Sequence, residues 1–252
     1  GRHHRARAVL EQGRLRVARD EADASSRRPD EADRHFVTAK ERLWLASIRH
    51  ERGDAFCFSA PFYGDEVERR ARASAPPRGR FGDETDDGGD GVDFDAADAA
   101  RAAEALAAMA LRECPDSGAL WAERVSSAPR PQRKSRSVDA LKRCPDDARV
   151  VRAVARLFWL DRKTDKARAW FDRAATLDPS DGDTWASLYA FEIGSVGTEA
   201  RARTTRDRCV AAKPTRGDFW CAAAKDPRAR REPTEKTLER VAALVPGGEE
   251  RS

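Results

Sequence analysis

The chain has 252 residues, with 48 Lys and Arg against 44 Asp and Glu, for a net charge of +4. That length admits one large domain or two small ones with a substantial core, and the charge balance argues against a protein whose main task is coating a phosphate backbone. No apolar run approaches the roughly 18–20 residues of a membrane span, and no signal-peptide core opens the sequence.

The chain begins without Met, which predicts a piece of a longer protein or a truncated gene model. Five cysteines (Cys57, Cys114, Cys144, Cys209, Cys221) and four histidines are present. The odd cysteine count, with no Cys-x2-Cys, argues against a disulfide framework and a zinc site, and fits the cytosol or nucleus.

Taken in chain order, apolar residues at helical spacing predict helices over about 5–17, 41–52, 96–113, 119–127, 135–143, 147–160, 165–177, 183–193, 198–211, 217–224 and 234–245, and no strand. The first is a partial repeat, 1–17, and 18–40 reads as an insertion. Residues 41–128 hold helical repeats interrupted at 53–95. Residues 81–100, which overlap the end of that interruption, carry eight acids and no base, a composition that cannot offset the entropy of ordering and predicts a disordered acidic loop over 53–95. The apolar stretch 55–64, "AFCFSAPFYG", reads either as a docking peptide or as a mis-translated intron. Residues 129–245 continue the repeats, and 246–252 form a tail.

The repeat rests on four prolines. Those at 115, 145, 179 and 214 are spaced 30, 34 and 35 apart, and six residues after each stand Trp121, Val151, Trp185 and Trp220. Before each proline a small or apolar stripe at offsets of 4 and 7 lies on one helical face. It reads Ala103, Ala107 and Ala110, then Ala167, Phe171 and Ala174, and is weaker where Arg133 or Arg206 intrudes. A fifth trace is Ala6, Leu10 and Gly13, with Ala18 in the proline's place. Proline after the last turn stops one helix and turns the chain into the next. About 34 residues therefore make an antiparallel helix pair that cannot bury its apolar face alone, and stacked pairs give an all-α solenoid. Trp44, Trp121, Phe171, Trp185, Tyr189 and Trp220 are its expected core packers.

Catalytic chemistry is not indicated. His3, His4, His35 and His50 pair with no nucleophile at a recognisable spacing. Cys114 and Cys144 occupy the same place in successive repeats, as packing residues do. There is no phosphate loop, and "GDGVDFD" lacks the ligand register of a calcium loop. No catalytic residue, cofactor or metal is expected. The one stretch that invites a partner is "APRPQRKSRS" (128–137), read as a link between helices whose start is kept extended by Pro129 and Pro131. Arg130, Arg133, Lys134 and Arg136 place four positive charges within seven residues there. An acidic protein surface and an RNA phosphate backbone both suit it. "KDPRARRE" (225–232) is a weaker basic patch.

The tryptophan helices say more. "LWLASIRHE" has Trp44, Ile48 and Glu51; "TWASLYAFE" has Trp185, Tyr189 and Glu192. This Trp-x3-aromatic/apolar-x2-Glu pattern is similar to the first helix of half-a-TPR (HAT) repeats. "ECPDSGALWAE", "RPQRKSRSVDALKRC", "AVARLFW", "KARAWFDRA", "GDTWASLYAFE" and "GDFWCAAAKD", in that order, resemble the C-terminal repeats of the pre-mRNA-processing factor 6 family. The likeness covers roughly 5–17, 41–52 and 97–245. It departs at the two insertions, at Ala18 and in lacking the family's N-terminal region. The resemblance implies a nuclear, non-catalytic scaffold of the spliceosomal tri-snRNP. Its implied partners are other snRNP proteins, with RNA contact indirect or minor and neither membrane nor small-molecule substrate. A peptide-clamping TPR adaptor and a directly RNA-binding module are the alternatives.

Overall fold

The computed structural model describes residues 2–23, 38–52, 96–194, 199–226 and 232–245. The expected acidic loop, the 55–64 stretch, most of 18–40, part of the 225–232 patch and the 246–252 tail lie outside them. Among the described residues there are eleven helices: α1 (Arg2–Asp23), α2 (Ala39–Arg52), α3 (Ala96–Glu113), α4 (Gly118–Ser126), α5 (Arg130–Arg143), α6 (Ala148–Leu160), α7 (Thr164–Leu177), α8 (Gly182–Gly194), α9 (Glu199–Ala212), α10 (Asp218–Ala224) and α11 (Thr234–Leu244). The all-helical expectation holds. The only extended pairing among these residues is one bridge between Asp181 and Arg216.

Two boundaries differ from the sequence reading, each for a local reason. α1 runs on to Asp23 because Ala18 replaces the stop proline, and alanine is the best helix former. α5 begins at Arg130, with Pro129 as its N-cap at φ −62° and Pro131 in its first turn. Proline is tolerated there because a first-turn N–H has no intrahelical acceptor to lose. The basic stretch is therefore mostly helix, and the expected extended link shrinks to the residues before Arg130.

From α3 onward, connections of no more than about ten residues fold consecutive helices back as antiparallel neighbours, and α2 meets α3 across the long segment 53–95. α2 packs on α3, α4 on α5, α6 on α7, α8 on α9, and α10 on α11. A second set of contacts runs between even-numbered helices, α2 to α4, α4 to α6, α6 to α8 and α8 to α10. Each even helix thus touches its own partner, the preceding odd helix in most cases, and the next even helix.

The core follows this stacking in three sequential clusters. The first joins Trp44, Leu45 and Ile48 to Ala103, Ala107, Ala110, Leu111 and Leu120. The second gathers Val125, Ala140, Cys144, Val150 and Ala153. The third, and largest, holds Trp159, Ala167, Phe171, Trp185, Tyr189, Phe191, Cys209, Trp220, Leu238 and Val241 among others. Trp121 is half-buried and packs against both the first and the second cluster. The small residues of the proline-anchored stripe let these helices approach: Ala110, Ala140, Ala167, Ala174 and Cys209 are all fully buried.

Candidate functional site

The spacing of proline and tryptophan has a direct physical cause. The indole N–H of Trp121 donates to the Pro115 carbonyl at 2.8 Å, that of Trp185 to Pro179 at 2.9 Å, and that of Trp220 to Pro214 at 3.0 Å. A buried indole needs an acceptor, and the carbonyl of a turn residue between two helices has no place in a helical ladder and needs a donor. Each Pro-x5-Trp unit meets both needs and fixes the angle at which an even helix enters. Trp44 has Thr38 rather than proline six residues before it, and its indole donates instead to Glu113 at 3.2 Å.

The glutamates seven residues after a tryptophan are equally accountable. Glu51 and Glu192, seven residues after Trp44 and Trp185, are each 3% exposed. Glu192 takes Arg168 of α7 in a forked pair, Nε to Oε1 at 2.8 Å and Nη2 to Oε2 at 3.4 Å. Glu51 takes Arg7 of α1 in the same way, with Nε to Oε1 at 2.7 Å. Arg7 and Arg168 directly follow Ala6 and Ala167, the equivalent positions of two stripes. The position in α3 is Glu104, and there the polarity is reversed: Glu104 receives Arg124 of α4 at 3.4 Å and Arg136 of α5 at 2.5 Å. These carboxylate–arginine joints tie each of the three odd helices to the helix that comes after it.

A third device was not read from the sequence. Three residues after Pro115, Pro179 and Pro214 stand Gly118, Gly182 and Gly217, although glycine at this spacing was visible. A Cβ on Gly118 would lie 2.0 Å from the Asp147 carboxylate, and one on Gly182 would lie 2.0 Å from the Trp220 ring. The start of each of these even helices is thus the seat for the start of the next. Asp183 completes the α8–α10 joint. Its carboxylate accepts from the backbone N–H groups of Asp218 at 2.8 Å, Phe219 at 3.3 Å and Trp220 at 2.8 Å, the unsatisfied donors of the α10 N-terminus. Burial, offset in part by Arg152 and reinforced by Asp181, pushes the Asp183 carboxyl up to about 6.

The four cations nominated from the sequence separate into two pairs. Arg136 is turned inward to Glu104, with its second nitrogen on Gln132, and the Arg133 Nε donates to the Ala128 carbonyl at 3.0 Å. Arg136 thus ties α5 to α3, and Arg133 closes the link that precedes α5. Arg130 and Lys134 are exposed.

On the even helices, cations meet carboxylates of the same chain. Arg49 lies between Glu123 at 3.2 Å and Asp218 at 3.4 Å, Arg52 reaches Glu123 at 2.7 Å, and Arg152 reaches Asp181 at 2.9 Å. The Arg49–Asp218 contact joins the first even helix to the last.

The features of a reaction centre are sparse. A cavity of about 200 Å³ between α7, α8 and α9 is lined by two pairs, Arg168 with Glu192 and Asp172 with Arg208, together with Arg201, Thr204 and Thr205. Burial pushes the Cys209 thiol up to about 12. Burial, with Asp147 and Asp116 nearby, pushes Cys144 up to about 11, so neither forms the reactive thiolate near neutrality. Among the described residues no three His, Cys, Asp or Glu side chains converge as metal ligands, and no helix is long and apolar enough to cross a membrane.

No protein-family model matches the chain. Part of it is nevertheless homologous to a segment of known proteins. It is 50% identical over 97 residues to pre-mRNA-processing factor 6 from Homo sapiens, 38% of this chain and 10% of that protein. It is 46% identical over 114 residues to protein STABILIZED1 from Arabidopsis thaliana, 45% of this chain and 11% of the relative. With pre-mRNA-splicing factor prp1 from Schizosaccharomyces pombe the identity is 38% over 129 residues, 51% of this chain and 14% of the relative. The matched stretch thus spans about a tenth of the length of these curated relatives.

Proposed function

We infer that this chain is a protein-contact scaffold in pre-mRNA splicing, a nuclear component that helps hold snRNPs together in the tri-snRNP through a solenoid of HAT/TPR-like repeats. Homology to a segment of pre-mRNA-processing factor 6 carries the reading. The solenoid is supported by the run of contacts from α2 through α4, α6 and α8 to α10, each even helix seated on the next. The assignment of a binding rather than a catalytic role rests on where the chemistry has gone. Buried carboxylates, guanidinium groups and indoles are taken up by the joints between helices, leaving surface as the working part. The partners are other spliceosomal snRNP proteins, with RNA contact indirect or minor.

Two observations favour this over a peptide-clamping adaptor or a direct RNA reader. A TPR clamp needs several cations on its even helices free to take a terminal carboxylate, and here Lys40, Arg49, Arg52, Arg124, Arg149 and Arg152 have acidic partners within the chain, with Arg42 an exposed exception. An RNA platform needs exposed aromatics for base stacking, yet Trp44, Trp185 and Trp220 are 3–4% exposed. The test is affinity capture of the tagged chain from nuclear extract, with and without nuclease. Recovery of snRNP proteins that survives nuclease supports the scaffold. Recovery of chaperones without small nuclear RNAs would replace it with the adaptor.

A further inference from the structure

The outer face of α5 carries charge that the fold does not use. Arg130, Lys134, Val138 and Lys142 succeed one another at four-residue intervals, which places them in an inclined row about 18 Å long that winds about 120° around the helix. All four are exposed, Val138 to 43%. Arg133, Arg136 and Arg143, on the other faces, are engaged by Ala128, Glu104 and Asp116. No hydrogen bond or ion pair takes the side chains of Arg130, Lys134 or Lys142 among the described residues. Asp139 is the only carboxylate on the helix, one against six cations. Contacts within the chain account for the other arginines of α5, and nothing among the described residues accounts for this row.

We propose that this row is a docking surface for an acidic amphipathic helix of another protein, with carboxylates facing Arg130, Lys134 and Lys142 and an apolar side chain on Val138. This rests on the scaffold reading and names the kind of partner one face of it takes. A protein helix is favoured over a nucleic acid by the centre of the row. An exposed valine between cations gives a phosphate chain nothing to bind. It gives a helix the apolar contact that fixes register, while the flanking charges speed and orient docking. No aromatic on α5 is available for base stacking.

The experiment uses the full chain and two synthetic probes, with binding read by fluorescence anisotropy at low salt. The first probe is an alanine-based helical peptide with Glu, Leu, Glu and Glu at four-residue intervals, made also in the reverse order. The second is a 15-nucleotide oligouridylate. One peptide order should bind in the micromolar range. Lys134→Glu should weaken it at least tenfold, and a peptide with Lys in place of the facing Glu should restore it. Val138→Ser, which removes the apolar contact without adding charge, should weaken the peptide several-fold and leave the oligouridylate unaffected. These positions are exposed, and unchanged circular dichroism melts will show that the variants fold. Failure of both peptides to bind at 1 mM overturns the proposal, as does oligouridylate binding that is tighter than the peptide's, lost in Lys134→Glu and indifferent to Val138→Ser. If the peptides fail while the chain still recovers snRNP proteins from extract, only this surface is refuted and the scaffold reading stands.

Discussion

Gly182→Ala separates a structural account from one based on helix propensity. Gly182 is the first residue of α8, where alanine would ordinarily stabilise by about 0.5–1 kcal/mol. The structure reverses the sign. The added methyl would lie 2.0 Å from Trp220 Cδ2 and 2.2 Å from Cγ, and that indole is 4% exposed and bonded to the Pro214 carbonyl. Trp220 cannot yield without leaving its seat. Overpacking costs about 1–3 kcal/mol and a lost or stretched indole hydrogen bond about 1 kcal/mol. After the propensity gain, the net is a destabilisation of about 2 kcal/mol. That corresponds to a fall of about 4–8 °C in melting temperature for a chain of this size, measurable by circular dichroism at 222 nm together with urea titration. A double-mutant cycle with Trp220→Ala locates the effect. In that background Gly182→Ala should be neutral or slightly stabilising. A stabilising effect in the parent chain, or an equal cost in both backgrounds, would refute the close-approach argument.

Other joints give sharper contrasts. Glu192→Ala leaves Arg168 without its forked partner and should cost about 3 kcal/mol, whereas the paired replacement Glu192→Leu with Arg168→Met should fall within about 1 kcal/mol of the parent by urea denaturation. Phe171→Ala, at a fully buried site in the largest cluster, should cost about 4 kcal/mol in the same assay. Asp183 predicts a pH dependence. Its folded value of about 6 lies above the ordinary 3.8, so the folded state holds the proton more tightly. Its contribution is therefore fully present below about pH 4 and falls by about 3 kcal/mol as pH rises through 6. The stability difference between the parent and Asp183→Asn should change by that amount across this window, and parallel denaturation curves would exclude Asp183 as the titrating group.

What the sequence made legible was local. Proline, tryptophan and the small stripe lie within one helix and its turn, so spacing alone placed nearly all the helices. The joints were less legible because their partners sit in other repeats. Glu192 could be seen to recur with Glu51, but only folding brings Arg168 and Arg7 to them. Gly182 stood in a visible position whose meaning depends on Trp220, 38 residues on. The basic stretch escapes the pattern for a different reason: proline ordinarily breaks a helix, yet Pro131 lies in a first turn, where it does not. An extended link there would merge two inward arginines with two outward cations, and it hides the row that continues through Val138 to Lys142.

The scaffold reading is tested most directly by sedimentation of nuclear extract from cells expressing the tagged full chain. The account predicts that the chain travels with the tri-snRNP in a glycerol gradient. It should stay with snRNP proteins after the particle is treated with nuclease. A chain that remains at the top of the gradient, or that leaves the particle as soon as RNA is digested, would contradict it.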